Sequence, residues 1–235
     1  TRFRNVTGVQ TCALPILTAS LSGVGGLNGT VAGASTNFVA IAANGGNADA
    51  IVIKNDGRAG VATLTIAVNG VVAKTIKVTF YGSAVAIKTD QQSSYIGAAG
   101  VGMADAVWVW AVDANGIAVP GTSFTATSSD SAVITGSTVG TMDDGTNYAW
   151  GAYPFAVATS SVSTSGQKAS VTYSFVNADG ATVSAAATPF TLGGAVKTVA
   201  LAFDAANYDL GAPAVLTAST LDASGNVPYD GQAVP

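Results

Sequence analysis

Apolar and polar residues alternate between Val61 and Phe80, in the stretch VATLTIAVNGVVAKTIKVTF. Successive side chains of a strand point to opposite faces of the sheet, so this alternation indicates strands with one buried face. The Asn-Gly pair in the middle is a strong signal for a two-residue hairpin turn. The pattern therefore predicts strands over Ala62–Val68 and Val71–Phe80, joined by Asn69-Gly70.

The same arrangement returns later in the chain, between Ala169 and Asp204. There too an alternating strand, an Asp-Gly turn and a second strand ending at phenylalanine are followed by glycine and a new strand. Phe80 and Phe190 are 110 residues apart, and the matching aspartates Asp113 and Asp222 are 109 apart. A period near 110 residues indicates tandem domains and not a solenoid of short repeats.

This period sets the expected domain boundaries. Residues 17–82 are predicted to form the C-terminal part of one domain, 83–193 a complete domain, and 194–235 the N-terminal part of a third. The chain stops at DGQAVP, whereas the preceding repeat continues after VPG into SFTATSS. We therefore expect a fragment, cut at both ends, of a longer array, of the kind that metagenomic sequencing yields.

Each repeat is expected to be all-β. Turn sequences at Asp113–Gly116 and Asp179-Gly180 separate short segments that are rich in Val and Thr, which favour strands. Several short strands with turn signals in one repeat fit an immunoglobulin-like β-sandwich. The chain has a single cysteine, so the disulfide of antibody domains is excluded.

The front of the complete repeat carries a further signature, VWVWAVDANGIAVPG, from Val107 to Gly121. Together with the repeat size and a last strand that ends in glycine, it resembles bacterial immunoglobulin-like repeats of surface-layer-like and adhesin-type surface proteins. The resemblance covers residues 17–235. It implies a non-enzymatic chain at the cell surface or outside the cell, whose partners are neighbouring repeats, copies of itself or a surface polysaccharide.

Residues 1–16 differ from everything that follows. Val6–Ile16, VTGVQTCALPI, resembles residue for residue the translation of a common sequencing-library adapter, so we interpret residues 1–16 as a non-native tail. This tail holds the only cysteine, Cys12. Its apolar stretch is short and broken by Pro15, which argues against a signal peptide.

Composition then limits the chemistry. Residues 17–235 contain no His, Glu or Cys, so the usual acid–base and nucleophilic groups are missing and no enzyme is expected. Seven basic residues remain against thirteen aspartates, a balance that disfavours nucleic-acid binding. The longest strongly apolar run, Ala106–Val112, is too short to form a transmembrane segment.

One oxygen-rich loop, DDGTN from Asp143 to Asn147, is a candidate for Ca²⁺ binding through Asp143 and Asp144. It lacks the spacing of a twelve-residue calcium loop. The alternative interpretation is a turn between strands, where Asp, Gly and Asn are favoured by backbone geometry. We therefore expect no metal or other cofactor, with Ca²⁺ at this loop as the alternative.

Two tryptophans, Trp108 and Trp110, share one face of a predicted strand. They belong either to the core, as a sandwich tryptophan often does, or to an exposed surface that stacks on a sugar or a neighbouring subunit. When Asp113 is aligned with Asp222, the tryptophans fall over Thr217 and Ser219. The intervening Val/Ala positions stay apolar in both copies, so both orientations of the tryptophans remain open.

Tyr148 and Trp150 form a second same-face pair, which is expected in the core.

Three functions remain open for the chain. It is a structural or adhesive repeat region, a glycan-binding module that uses the four aromatic residues, or an accessory region of a larger secreted enzyme. The binding candidates are Trp108, Trp110, Tyr148 and Trp150.

Overall fold

The computed structural model describes residues 16–28, 35–36, 38–42 and 51–232. Regular structure in these ranges is all-β, as predicted. The described part of the chain contains no helix that is long and apolar enough to cross a membrane. In chain order the strands are β1 (Ile16–Ser22), β2 (Gly26–Asn28), β3 (Ser35–Thr36), β4 (Phe38–Ala42), β5 (Val52–Lys54), β6 (Gly60–Val68), β7 (Val71–Phe80), β8 (Ala86–Gln91), β9 (Tyr95–Gly97), β10 (Met103–Val112), β11 (Thr125–Ser128), β12 (Ile134–Val139), β13 (Tyr153–Thr159), β14 (Lys168–Val176), β15 (Thr182–Ser184), β16 (Thr188–Gly193), β17 (Val196–Phe203) and β18 (Leu216–Asp222).

The chain divides into two compact units, Thr1–Gly82 and Ser83–Pro235. The division falls between residues 82 and 83, where the sequence analysis places its first boundary. Residues 194–235 are grouped with 83–193, so the second boundary stays a prediction. Of the expected non-native tail, residues 1–15 lie outside the described residues, and Ile16 begins β1.

The described residues of the unit Thr1–Gly82 form two antiparallel sheets, with strand orders β4-β1-β6-β7 and β3-β2-β5. Its small core joins side chains from both sheets, because Leu21 of β1, Leu64 of β6 and Leu27 of β2 belong to one buried cluster. The predicted hairpin is confirmed: β6 and β7 pair in antiparallel fashion, with Val68 opposite Val71. Its turn residues Asn69 and Gly70 both have positive φ, 50° and 81°, as the type I′ turn requires.

In the unit Ser83–Pro235, two sheets face each other as a sandwich. Their strand orders are β12-β13-β10-β8 and β11-β14-β16-β9, with β15 also paired to β14. One buried cluster joins the first sheet, through Val109 and Phe155, to the second, through Tyr173, Phe190 and Leu192. Among the strands described in this unit, all pairs are antiparallel except β9 and β16, which run parallel.

The predicted strand end at Phe190 is wrong by a few residues, because β16 continues to Gly193. Leu192 is buried in the core, and Thr191 to Gly193 pair with β9, so both packing and hydrogen bonds extend the strand. Beyond Gly193, β17 and β18 form a two-stranded sheet of their own, and nearly all of their side chains are exposed.

Four loops close in the same way, with an Asp or Asn side chain that accepts hydrogen bonds from backbone amides two and four residues later. The four residues are Asp113, Asp143, Asn177 and Asp222. This is the Asx geometry that favours Asp and Asn in turns. The predicted turns at Asp113–Gly116 and Asp179-Gly180 are therefore confirmed, and the matching aspartates of the repeat make matching contacts.

Candidate functional site

Strand β10 separates its valines from its tryptophans. Val107 and Val109 are fully buried in the sandwich core, while Trp108 and Trp110 lie half-buried on the opposite face. The alternation arises because successive side chains of a strand point to opposite sides. The Val/Ala face is thus the inner face, and the core interpretation of the two tryptophans is wrong.

A tyrosine from another part of the chain covers the tryptophans. The Tyr148 ring stacks on Trp108, with ring centroids 4.8 Å apart and an interplanar angle of 6°. It also meets Trp110 at 6.0 Å in a tilted arrangement. The Tyr148 hydroxyl donates a hydrogen bond to Oδ2 of Asp90, which is the cross-strand partner of Trp108. We call Trp108, Trp110 and Tyr148 the aromatic patch.

The expectation that Tyr148 and Trp150 share one face of a strand and lie in the core is wrong. Both residues belong to the loop between β12 and β13, and they are 36% and 43% exposed. Gly145 and Gly151 have φ of 91° and 83° in this loop, values that an extended strand does not contain. The loop therefore carries Tyr148 across the outer face of β10 and keeps it out of the core.

The same loop uses the carboxylates that were candidates for Ca²⁺. Asp143 is buried, and its Oδ1 and Oδ2 accept hydrogen bonds from the backbone amides of Gly145 and Asn147, at 2.6 and 3.2 Å. Oδ1 of Asp144 accepts from the amide of Thr146 at 3.0 Å. Hydrogen bonds from Thr146 lower the pKa of Asp144. These contacts correspond to the turn interpretation, and the described residues contain no group of three or more His, Cys, Asp or Glu side chains placed to hold a metal ion.

An open cavity of about 540 Å³ lies beside the patch, lined among others by Asp105, Trp108, Asp144 and Asn147. Burial, together with the hydrogen bond to Asp90, raises the pKa of Tyr148 to about 12. At neutral pH the Tyr148 hydroxyl is therefore protonated and able to donate to the Asp90 carboxylate. The arrangement offers stacking surfaces and hydrogen-bonding groups.

Sequence reasoning missed a second contact region, which we call the junction: the loop 222–231 and the residues on which it packs. Asp222 is buried, and its Oδ2 accepts hydrogen bonds from the Ser165 hydroxyl and from the Gly194 amide, the latter at 2.8 Å. Asn226 Nδ2 donates to Ser165 Oγ at 3.0 Å. Desolvation opposes ionisation of Asp222, but hydrogen bonds from Ser165 and from backbone amides outweigh it and lower its pKa to about 2.

The far end of the junction loop attaches to β9. Oδ2 of Asp230 accepts hydrogen bonds from the amides of Ser94 and Tyr95 at 3.1 and 3.2 Å, and the Asp230 amide donates to the Tyr95 carbonyl at 3.0 Å. Gly193 allows the close approach, since a Cβ there would lie 2.5 Å from the backbone nitrogen of Tyr229. The repeated aspartate at positions 113 and 222 was the available sequence signal, but it does not reveal which residues the loop contacts.

Comparison with known proteins finds neither a family model that matches this chain nor a curated protein that is similar to it.

Proposed function

We propose that the chain is a non-enzymatic, structural or adhesive region of immunoglobulin-like repeats from a bacterial protein that acts outside the cell. The strand order of the sandwich supports this assignment. β8, β10, β13 and β12 follow the order of strands A, B, E and D in an immunoglobulin constant-type sheet, and β11, β14 and β16 follow that of C, F and G.

The junction is the observation that carries the proposal. Flexible linkers between domains are usually polar loops that few contacts cross. Here the segment after the sandwich is held by a buried carboxylate and by backbone hydrogen bonds at two separate places, through Asp222 and Asp230. Such an attachment fixes the direction in which the chain leaves one repeat. A stalk or lattice of repeats requires this property, whereas freely jointed modules do not.

Hydrogen exchange on the full chain tests the proposal. Asp222→Ala removes the acceptor that joins Ser165, Gly194 and the loop amides. We expect the amides of the junction loop to exchange about tenfold faster or more, while those of β10 and β14 are unchanged. Asp179→Ala is the matched control, since Asp179 lies in an exposed turn where Asn177 supplies the acceptor.

Equal exchange in Asp222→Ala and wild type would show that the junction loop is not fixed by these bonds, and the proposed rigid array would be wrong.

The pH dependence of loop protection provides a second test. The folded-state pKa of Asp222 is about 2 against an ordinary value of 3.8, so its contribution is present above pH 3.8 and is lost as the pH falls through 2. Protection of the loop should follow that window in wild type and not in Asp222→Ala.

A glycan-binding module is the second candidate, favoured by the exposed aromatic residues beside an open cavity. The face of Trp108 is already covered by Tyr148, so a sugar would stack on Tyr148 or Trp150, which are more exposed. Binding of the full chain to a polysaccharide array, abolished by Trp150→Ala and retained in the exposed control Tyr81→Ala, would favour this function. An array without any bound glycan would remove it.

A further inference from the structure

The tip of the β6–β7 hairpin presents an Asn-Gly pair to solvent. Asn69 and Gly70 are exposed, and so are the flanking residues Val68 and Val71. In such a pair the backbone amide of glycine can attack the side-chain amide of asparagine, because glycine has no Cβ to hinder the approach. The space around Gly70 is open as well, since a Cβ built there would meet no atom within 4 Å. The tip therefore carries a nucleophile and an electrophile on adjacent residues, in contact with water.

The Gly70 amide lies outside the paired part of the hairpin. The last paired residues are Val68 and Val71, and the two turn residues lie beyond them. A β-turn is closed by a hydrogen bond between its first and fourth residues, so the amide of the third, Gly70, takes no part in the closing bond. Attack by this nitrogen does not require any pair of the two strands to open.

A second Asn-Gly pair, Asn115-Gly116, is held differently. Both of its residues are exposed too, so exposure does not distinguish the two pairs. The Gly116 amide, however, donates a hydrogen bond to the carbonyl of Asp113 at 2.9 Å. The amides of Asn115 and Ile117 both donate to Oδ1 of Asp113, also at 2.9 Å. The nucleophile of this pair is thus occupied, and the backbone on either side of it is fixed.

We propose that Asn69 is a site of spontaneous deamidation in the folded protein, and that Asn115 is protected by its turn. The Gly70 nitrogen forms a bond to Cγ of Asn69, and the bond from Cγ to Nδ2 breaks. The proton of the Gly70 amide leaves with Nδ2 as ammonia, which gives a succinimide ring. Water then opens the ring at either carbonyl, so the products are aspartate and isoaspartate.

Isoaspartate changes the hairpin, because its backbone continues through Cβ and contains one additional carbon atom. The native turn has positive φ at both central residues, as type I′ geometry requires, and a longer backbone does not fit it. Either product also adds a negative charge at the tip. We expect the strand pairing to open from the Val68–Val71 end, while Leu64 of β6 stays in the buried cluster. This inference goes beyond the proposed function, because it concerns a covalent change within one hairpin and does not depend on the junction.

Peptide mass mapping of the full chain, incubated for weeks at mildly alkaline pH, tests the proposal. Trypsin isolates Asn69 in the peptide 59–74, and cleavage before aspartates isolates Asn115 in 113–129. Each peptide contains one asparagine and no glutamine, so a change from amide to acid is assigned without ambiguity. In the native chain Asn69 should react about tenfold faster or more than Asn115, because hydrogen bonds must break before Gly116 can attack.

Two controls separate the effect of structure from that of sequence. In guanidinium chloride the turn around Asn115 is lost, and the two asparagines should react at similar rates because glycine follows both. Asn69→Gly is the matched variant, since Gly-Gly also suits a type I′ turn but provides no side-chain amide. During incubation, hydrogen exchange next to the turn should become faster in wild type as isoaspartate accumulates, and should stay constant in Asn69→Gly.

Three results would overturn the proposal. If Asn115 reacted as fast as Asn69 in the native chain, the hydrogen bonds of its turn would not be protective. If Asn69 reacted in denaturant but not in the native chain, the folded hairpin itself would protect the pair. If exchange next to the turn stayed constant after isoaspartate had formed, the hairpin would tolerate the longer backbone, and the expected opening would be wrong.

Discussion

The hairpins β8–β10 and β17–β18 occupy equivalent places in successive repeats, yet they meet different surroundings. Both end in a loop that is closed by an Asx turn, at Asp113 and at Asp222. The inner face of strand β10 is buried, whereas the aligned positions Leu216 and Ala218 of strand β18 are exposed. Alternation therefore specifies which face of a hairpin can become core, and a second sheet decides whether it does.

The largest difference in stability should appear when the same charge is placed on the inner face of each hairpin. Val109→Asp buries an unpaired carboxylate in the sandwich and should cost more than about 3 kcal/mol, enough to unfold a marginal domain. Ala218→Asp changes the aligned position, which is exposed, and should cost less than about 0.5 kcal/mol. Denaturant unfolding followed by tryptophan fluorescence at dilute concentration measures both, because all three tryptophans lie within 83–193.

Equal losses of unfolding free energy in the two variants would contradict the difference between the two hairpins. If Ala218→Asp destabilised the sandwich as much as Val109→Asp, the second hairpin would be as deeply packed as the first. If neither variant had an effect, the inner face of β10 would not be core.

A smaller loss of stability is expected when side chains on the outer face of β10 are changed. The double change Trp108→Thr, Trp110→Ser gives the first hairpin the outer face of the second. It removes half-buried rings and a stacked contact, so it should cost about 1–3 kcal/mol. A cooperative thermal transition by circular dichroism, shifted down but preserved, is the expected result. Collapse of folding would mean that the tryptophans act as core residues in spite of their position.

The smallest effect concerns the tyrosine–aspartate bonds near each hairpin. Tyr148 donates to Asp90 over the first, and Tyr208 donates to Asp204 beside the second. Tyr148→Phe keeps the stack on Trp108 but removes the bond, and should cost less than about 1 kcal/mol. Tyr208→Phe is the control and should leave fluorescence-detected unfolding unchanged.

The Tyr148 effect has a defined pH dependence. Its folded-state pKa is about 12 against an ordinary value of 10.0, so its contribution is complete below pH 10 and is lost as the pH rises through 12. The stability difference between wild type and Tyr148→Phe should therefore shrink between pH 10 and pH 12. A difference that grew in this range would contradict the assigned hydrogen bond.

Local features were predictable from the sequence, and non-local ones were not. The β6–β7 hairpin follows from alternation and from Asn69-Gly70, because turn geometry depends on adjacent residues. Alternation also separates Val109 from Trp108. The spacing of Tyr148 and Trp150, in contrast, predicts a shared face, although two glycines with positive φ place both residues in a loop.

The candidate site shows the same limit. Aromatic residues could be listed from the sequence, but the stack of Tyr148 on Trp108 joins residues 40 positions apart. The junction joins Asp222 to Ser165 and Asp230 to Tyr95 over still longer separations. Such contacts depend on the packing of strands, and no short pattern encodes them.

The parallel pairing of β9 with β16 has a mechanical consequence. Tyr95 to Gly97 pair with Thr191 to Gly193, so the strands near the beginning and the end of the 83–193 segment lie side by side. A pull on the two ends of this segment would act along these strands, and the hydrogen bonds between them would be sheared together instead of opening one after another. The junction attaches at the same strands, through Tyr95 and Gly193. Tension along the chain would therefore act first on the β9–β16 hydrogen bonds in shear, the direction in which these bonds resist separation together.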